Sequence, residues 1–284
     1  MKLSKRLEMV ASFVKEGSNL ADIGTDHGYI PIALAERGQV KRAIAMDVRS
    51  GPLERAKEHI KLHRLEDRIE TRLSDGTKML EPGEADTVVI SGMGGDLVIH
   101  ILEEGRFLWD SVSQWVLSPQ SELDKVRRFL EGNGFVTVRE DMVEEDGKYY
   151  TVMDVVWQAP PFGEKCADRK ENGLEIRGCH EFSTDLEDRN GIGREAALRN
   201  ERFTRQDTAR DVKQKLKREA GYLYGRLLIR EKNPVLKEFL QREELQLERI
   251  REQLKKTDSQ AANKRLAELE WELEIIKEAQ DEMQ

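Results

Sequence analysis

The residues best suited to chemistry stand in one short run, Ala21-Asp22-Ile23-Gly24-Thr25-Asp26-His27-Gly28. Asp22 and Asp26 are acids able to face a cation, while Gly24 and Gly28 let the backbone turn sharply and pass close to a ligand. Asp47 closes the apolar run Arg42–Asp47, where a carboxylate can accept both hydroxyls of a ribose. Asp75, in Ser74-Asp75-Gly76, follows the run Arg68–Leu73, where it can accept the exocyclic amine of an adenine. A fourth run ends in Ile90-Ser91-Gly92-Met93-Gly94-Gly95, whose glycines open room for a flat substrate and expose carbonyls as acceptors. These features together describe a nucleoside site. A nicotinamide dinucleotide would need glycines spaced G-x-G-x-x-G. Counted from Gly24, the required positions are Asp26 and Tyr29, and Asp26 would set a negative charge where a pyrophosphate should lie. A sulfonium and an α-amino group are cationic and suit the acids. The expected cofactor is therefore S-adenosylmethionine, held by Asp22, Gly24, Thr25, Asp26, Gly28, Asp47, Asp75, Gly76 and Gly92.

Such a site needs strands that deliver their ends to one edge. Short apolar runs alternate with helical spacing through the first 160 residues. Strands are expected at Asn19–Gly24, Arg42–Asp47, Arg68–Leu73, Asp86–Ser91 and Gln114–Leu117. Helices are expected at about 28–37, 52–63, 96–104 and through Leu123, Val126 and Leu130. This alternation implies a parallel sheet covered on both faces, an α/β Rossmann-like domain over residues 1–159, which with the expected cofactor makes it a class I methyltransferase domain. Phe135–Val138 and Tyr149–Trp157 have no helical pattern between them and read as an antiparallel hairpin at one edge.

The 284 residues carry a net charge of −8, most of it in the first 160 residues, and 36% of them are charged. Mean hydropathy is −0.66. Neither an apolar span nor a leader-like start is evident, so a cytoplasmic protein without a membrane partner is expected. Cys166 and Cys179, with His180 nearby, fit no common zinc spacing, and no metal is expected.

From 160 to 217 the periodicity fails, predicting a polar, flexible insertion. Its last third is rich in Arg and Lys (Arg194, Arg199, Arg202, Arg205, Arg210, Lys213), which reads either as a solvated linker helix or as RNA contact. Residues 218–284 form the third part. Asn233 is a good N-cap and Pro234 suits a first turn. Leu236, Leu240, Leu247, Ile250 and Leu254 then step by three, four or seven, with Glu243 interrupting the seam. A turn over 255–260, capped by Asp258 or Ser259, leads to Leu266, Leu269, Leu273 and Ile276. Two helices with a short link predict an α-helical coiled-coil hairpin.

With these motifs in view, the chain resembles the bacterial TrmK-type tRNA methyltransferases, which modify N1 of adenine 22. The shared stretches are Leu3–Leu7, Ala21–Tyr29, Ser91–Gly95, Glu145–Tyr150, and Gly225–Leu228 with Asn233-Pro234 beyond. The resemblance covers about residues 1–158 and 220–284, and the 160–217 stretch departs from it. It implies a donor-binding Rossmann domain, a helical domain that helps hold tRNA, and methyl transfer to adenine N1. N1 already carries an in-plane lone pair, so positioning is expected to dominate, after extrusion of a paired base. Asp26, His27, Ser91, Gly92 and Met93 are the expected catalytic group. Carbonyls around 91–94 would accept the N6 hydrogens, Asp26 would favour the cationic product, and His27 would either take an N6 proton or simply contact the donor. Tyr29 would stack on the base or pack. Lys2, Lys5, Arg6, Arg37, Lys41 and Arg42 are candidate RNA contacts. Rival readings are a methyltransferase acting on another RNA, a small molecule or a protein, and a non-catalytic scaffold. The sequence leaves the oligomeric state open, a monomer being one option.

Overall fold

The computed structural model describes residues 1–159, 208–256 and 259–284, and the backbone of 170–171 and 174–175. Residues 1–158 and 216–284 form one compact unit and 159–215 another. In the second unit a short antiparallel pair, Lys170–Glu171 with Leu174–Glu175, and the first turns of a helix from Ala209 are described. Most of the expected flexible insertion, most of its basic residues, and Cys166, Cys179 and His180 fall outside the described residues, whereas its last residues, from Ala209, are helical.

The first unit is built on a seven-stranded sheet. Its strands are β1 (Ser18–Ile23), β2 (Val40–Asp47), β3 (Ile69–Leu73), β4 (Thr87–Ser91), β5 (Gln114–Ser118), β6 (Phe135–Glu145) and β7 (Lys148–Trp157), in the order β3-β2-β1-β4-β5-β7-β6. The first five run parallel, and β7 lies antiparallel between β5 and β6. The closing hairpin at one edge is thus where the two helix-free runs predict it. Helices α1 (Lys5–Phe13), α2 (Tyr29–Glu36), α3 (Ser50–Leu62), α4 (Gly95–Glu104) and α5 (Leu123–Gly132) cover the faces.

Alternation along each strand sorts the core into two layers, because successive side chains point to opposite faces. Ala21, Ile23, Met46, Val88, Ile90, Trp115 and Leu117 meet Val98, Leu102, Val126 and Leu130 from α4 and α5. Leu20, Ala43, Ala45, Val89 and Val116 meet Val10 and Phe13 of α1, Ile32 and Leu34 of α2, and Ile60 of α3. Strands buried on both faces explain the unbroken apolar runs. Two elements depart from expectation. α1 has no clear signature in the sequence, since its buried residues are few: Val10, Ala11 and Phe13. β6 runs seven residues past its apolar start, through a register shift between Thr137 and Arg139, and its polar residues find partners outside the sheet.

Residues 209–284 are helical. After α6 (Ala209–Ala220), a π-helical turn spans Gly221–Gly225 and a short helix, α7, spans Arg226–Arg230. α8 (Pro234–Leu254) starts at Asn233, whose side chain accepts from the Val235 and Leu236 amides at 3.0 and 3.1 Å. α9 (Gln260–Glu282) is capped by Ser259. The two long helices pack on each other, with Gln280 donating to Glu244 at 2.9 Å. Their core of Leu236, Leu240, Ile276 and Ala279 continues through Leu228 and Ile229 to Met142 on β6. A buried ion pair fastens this region to the sheet. Arg127 of α5 meets Glu140 of β6 at 2.7 Å and also donates to the Tyr222 and Leu223 carbonyls. Among the described residues, no helix is long and apolar enough to cross a membrane.

Candidate functional site

β1 pairs with β2 on one side and β4 on the other, so the chain switches direction between them. At such a switch point the carboxyl ends of parallel strands open a ligand crevice. The predicted residues collect there, on the loops after β1, β2, β3 and β4.

Asp22 lies at the end of β1, only 2% exposed, and accepts a 2.6 Å hydrogen bond from the Thr25 hydroxyl. Burial lifts its pKa to about 6; the Thr25 bond opposes this rise and the charge of Asp47 adds to it. Asp47, also buried, ends β2 and accepts from the Arg49 amide at 2.8 Å. Between them the β1–α2 loop is anchored by the Met46 carbonyl, which accepts the Gly24 and Thr25 amides at 2.8 and 2.9 Å. Gly24 has φ +73°, and a methyl group on it would overlap Cε of Met93. The loops after β1 and β4 therefore close on one another through a glycine and a methionine.

Asp26 and His27 both take left-handed backbone, at φ 33° and 21°. Asp26 is 63% exposed, with His27 at 3.6 Å and Arg55 at 3.7 Å. His27, Tyr29 and His59 form a three-ring cluster with centroids 5.3–5.7 Å apart; the His27 carbonyl accepts from His59 Nδ1 at 3.0 Å, and its own Nδ1 is buried without a protein partner. Gly28 caps α2 at φ +72°, a conformation that favours glycine, and a Cβ on it would sit in ordinary contact with Ala56 and Ile32.

Asp75 is the outlier. It stands on the surface, 2.6 Å from Lys78, whose ammonium holds its carboxyl below the usual range. Gly76 beside it is fixed at φ +58° against Ile101.

After β4, Ser91 pairs in register with Ser118, and the Gly92 amide donates to the Ser118 carbonyl at 3.1 Å. The Met93 carbonyl, expected to be open to a substrate amine, accepts the Gln120 amide at 2.8 Å and has one lone pair left. Ser91 and Gly92 line a narrow crevice with Arg6, Ser118, Gln120 and Tyr150. Sequence reasoning missed Gln120, Ser118 and His59. Strand ends carry a site of this kind, and the end of β5, which follows the same rule as the ends of β1 to β4, is the signal that points to Ser118 and Gln120. Among the described residues, no group of three or more His, Cys, Asp or Glu is placed to hold a metal.

Comparison with known proteins places residues 3–153 in a family described as "Methyltransferase domain". The tRNA (adenine(22)-N(1))-methyltransferase of Bacillus subtilis is 37% identical over 153 residues, which are 54% of this chain and 64% of that protein. The match thus spans under two thirds of that relative. Among solved structures, Sp1610 of Streptococcus pneumoniae, a candidate tRNA (m1A22) methyltransferase, is 30% identical, with a TM-score of 0.71 over 98% of this chain and 99% of its own. Its complex with S-adenosyl-L-methionine aligns with a TM-score of 0.68 at 29% identity, over 98% and 99% of the two chains.

Proposed function

The chain belongs to the methyltransferase-domain family, and from that premise we propose that it transfers the methyl group of S-adenosylmethionine to N1 of an adenine in tRNA. The observation that carries the reading is Asp22, a carboxylate withdrawn from water beside Asp47 at the switch point of the sheet. Keeping a negative charge there costs free energy, and a bound cation offsets that cost. The residues present fit such a donor. Asp22 would face its cationic end, Asp47 its ribose hydroxyls, and the Gly24–Gly28 loop would pass along it. Asp75 would take the adenine amine on giving up Lys78.

When bound, S-adenosylmethionine supplies an electrophilic methyl group on a positively charged sulfur. The protein's own contribution is to orient the acceptor, since adenine N1 needs no strong base to expose its lone pair. Holding the two partners in a near-attack geometry is worth several powers of ten in rate. Asp26 would favour the positive charge left on the methylated ring, and His27 is the group able to take a proton from N6. Residues 1–159 would then do the chemistry, and residues 218–284 would widen the surface that meets RNA, in the cytoplasm where tRNA matures.

The test is transfer of labelled methyl from the donor to bulk tRNA, followed by mapping of the modified base, with calorimetry of donor binding in parallel. Label at N1 of adenine is the expected result. Donor binding without label in tRNA would overturn the substrate, and absence of donor binding would overturn the whole reading.

A further inference from the structure

Gln120 and Tyr150 line the narrow crevice at Ser91–Gly92 and also a larger groove of about 480 Å³, whose far wall is α8. That size falls within the range of about 300–1,000 Å³ typical of small-ligand sites. The groove is walled by rings and cations. Tyr149 and Phe239 meet edge to face at 5.0 Å, the Arg242 guanidinium lies 5.9 Å from the Tyr149 ring centre, and Lys148 stands on the rim. Glu243 shares the wall, so two cations face one carboxylate.

The junction itself is built to be rigid. The Gln120 amide is tied to the Met93 carbonyl, and its side-chain Nε2 comes within 3.9 Å of where a side chain on Gly92 would begin. Tyr150 sits in register with Val143 on β6, with the Arg6 guanidinium 5.7 Å from its ring centre. Arg6 and the Lys5 amide both reach Glu145, which ties α1 to the same hairpin. An uncharged amide and an aromatic ring therefore stand where the Ser91–Gly92 turn borders a cationic, ring-walled groove.

A side-chain amide pairs with adenine through N6 and N7, donating to N7 and accepting from N6. This is the one two-point contact that leaves N1 untouched, so the edge that is read is not the edge that reacts. An aromatic ring at the same place supplies a stacking surface. Resting on the function proposed above, we propose that Gln120 reads the N6 and N7 edge of the target adenine, that Tyr150 stacks on it, and that the Tyr149–Phe239–Arg242 groove takes the adjoining nucleotide.

The experiment measures methyl transfer to a tRNA transcript by wild type, Q120A, Y150A, Y150F and R242A, with donor affinity by calorimetry for each. Q120A and Y150A should each lose about 10- to 100-fold in kcat/KM, the loss that one such base contact carries, with donor affinity unchanged. Y150F should recover most of the Y150A loss, and R242A should raise KM for tRNA several-fold. A transcript with purine in place of the target adenine, lacking N6, should penalise wild type more than Q120A. Donor affinity retained shows that each variant is folded. If wild type methylates tRNA and the variants match it, or if the purine penalty is the same for wild type and Q120A, the base-reading assignment is wrong while the function stands. If wild type labels no tRNA, the function falls and this assignment with it.

Discussion

Replacing Asp22 with asparagine separates what the fold wants from what the ligand wants. In the folded protein burial holds this carboxyl at about 6, against 3.8 for the free group. The native state therefore binds the proton more tightly than the unfolded chain. Below the unfolded value both states are protonated and the group costs nothing. As pH rises from about 4 to about 6 the unfolded chain ionises first and stability falls, and above that the loss is constant. Each pH unit between the two values is worth about 1.4 kcal/mol, so the full loss is roughly 3 kcal/mol. D22N keeps an oxygen to accept from Thr25 and cannot ionise, so it escapes this cost. Urea unfolding of the ligand-free proteins should show D22N more stable by about 1–3 kcal/mol at pH 7.5, the lower figure allowing for the new amide's unpaired hydrogens. Between pH 7.5 and about pH 4 the difference should fall by about 3 kcal/mol, leaving D22N no more stable than wild type. Donor binding should behave oppositely. Wild-type affinity should rise as pH increases towards about 6 and then level, while D22N binds weakly at every pH. Equal stability of the two proteins at pH 7.5, or a flat pH profile of wild-type affinity, would show that Asp22 is not a strained acid awaiting a cation.

Two further substitutions probe the frame. G24A combines a left-handed backbone with overlap of the Met93 side chain. It should weaken donor binding by about 5- to 30-fold, since moving the loop costs about 1–2 kcal/mol; calorimetry giving a Kd within twofold of wild type would exclude the close approach. R127A leaves Glu140 buried without its cation and frees the Tyr222 and Leu223 carbonyls. Urea unfolding should register a loss of about 3–5 kcal/mol, whereas a loss below about 1 kcal/mol would mean that the pair is solvated and that the helical region is held by its apolar core alone.

Much of the catalytic fold is legible in the sequence because its strands are buried on both faces. Val88-Val89-Ile90 and Trp115-Val116-Leu117 have to be apolar throughout, and no helix or loop explains them as well. The acids are legible for the same reason: Asp22 and Asp47 end apolar runs, and an acid there requires an explanation. The misses have a common physical origin, since polar residues become informative only with their partners. Glu140 and Asp141 read as the end of β6, yet the strand continues because Arg127 and Asn233, remote in sequence, satisfy them. Gln120 reads as loop, and its interest emerges only from the Met93 carbonyl that accepts its backbone amide and from the two cavities it lines. Asp75 is the reverse case. It follows β3 as expected, but nothing in the sequence shows that Lys78 would hold it on the surface.

Under the proposed function, an acidic protein would have to keep RNA phosphates away from the acids proposed to face its cationic donor. Here the separation is spatial. Asp22 and Asp47 are sunk at the β1 and β2 ends, where a phosphate would meet both negative charge and low dielectric. Lys148 and Arg242 lie across Gln120 and Tyr150 on the other side of β4 and β5. Between the two zones Ser91, Ser118, Gln120 and Tyr150 offer uncharged groups to a neutral base, with Arg6 behind the Tyr150 ring. A nucleotide entering with its phosphate on the cationic side can present only its base to the donor, which is the orientation that methyl transfer to a ring nitrogen needs. Net charge of the chain is irrelevant to this sorting. What selects the orientation is the local sequence of charges across about one nucleotide's width, and it would discriminate against any acceptor whose reactive atom lies next to its own anionic group.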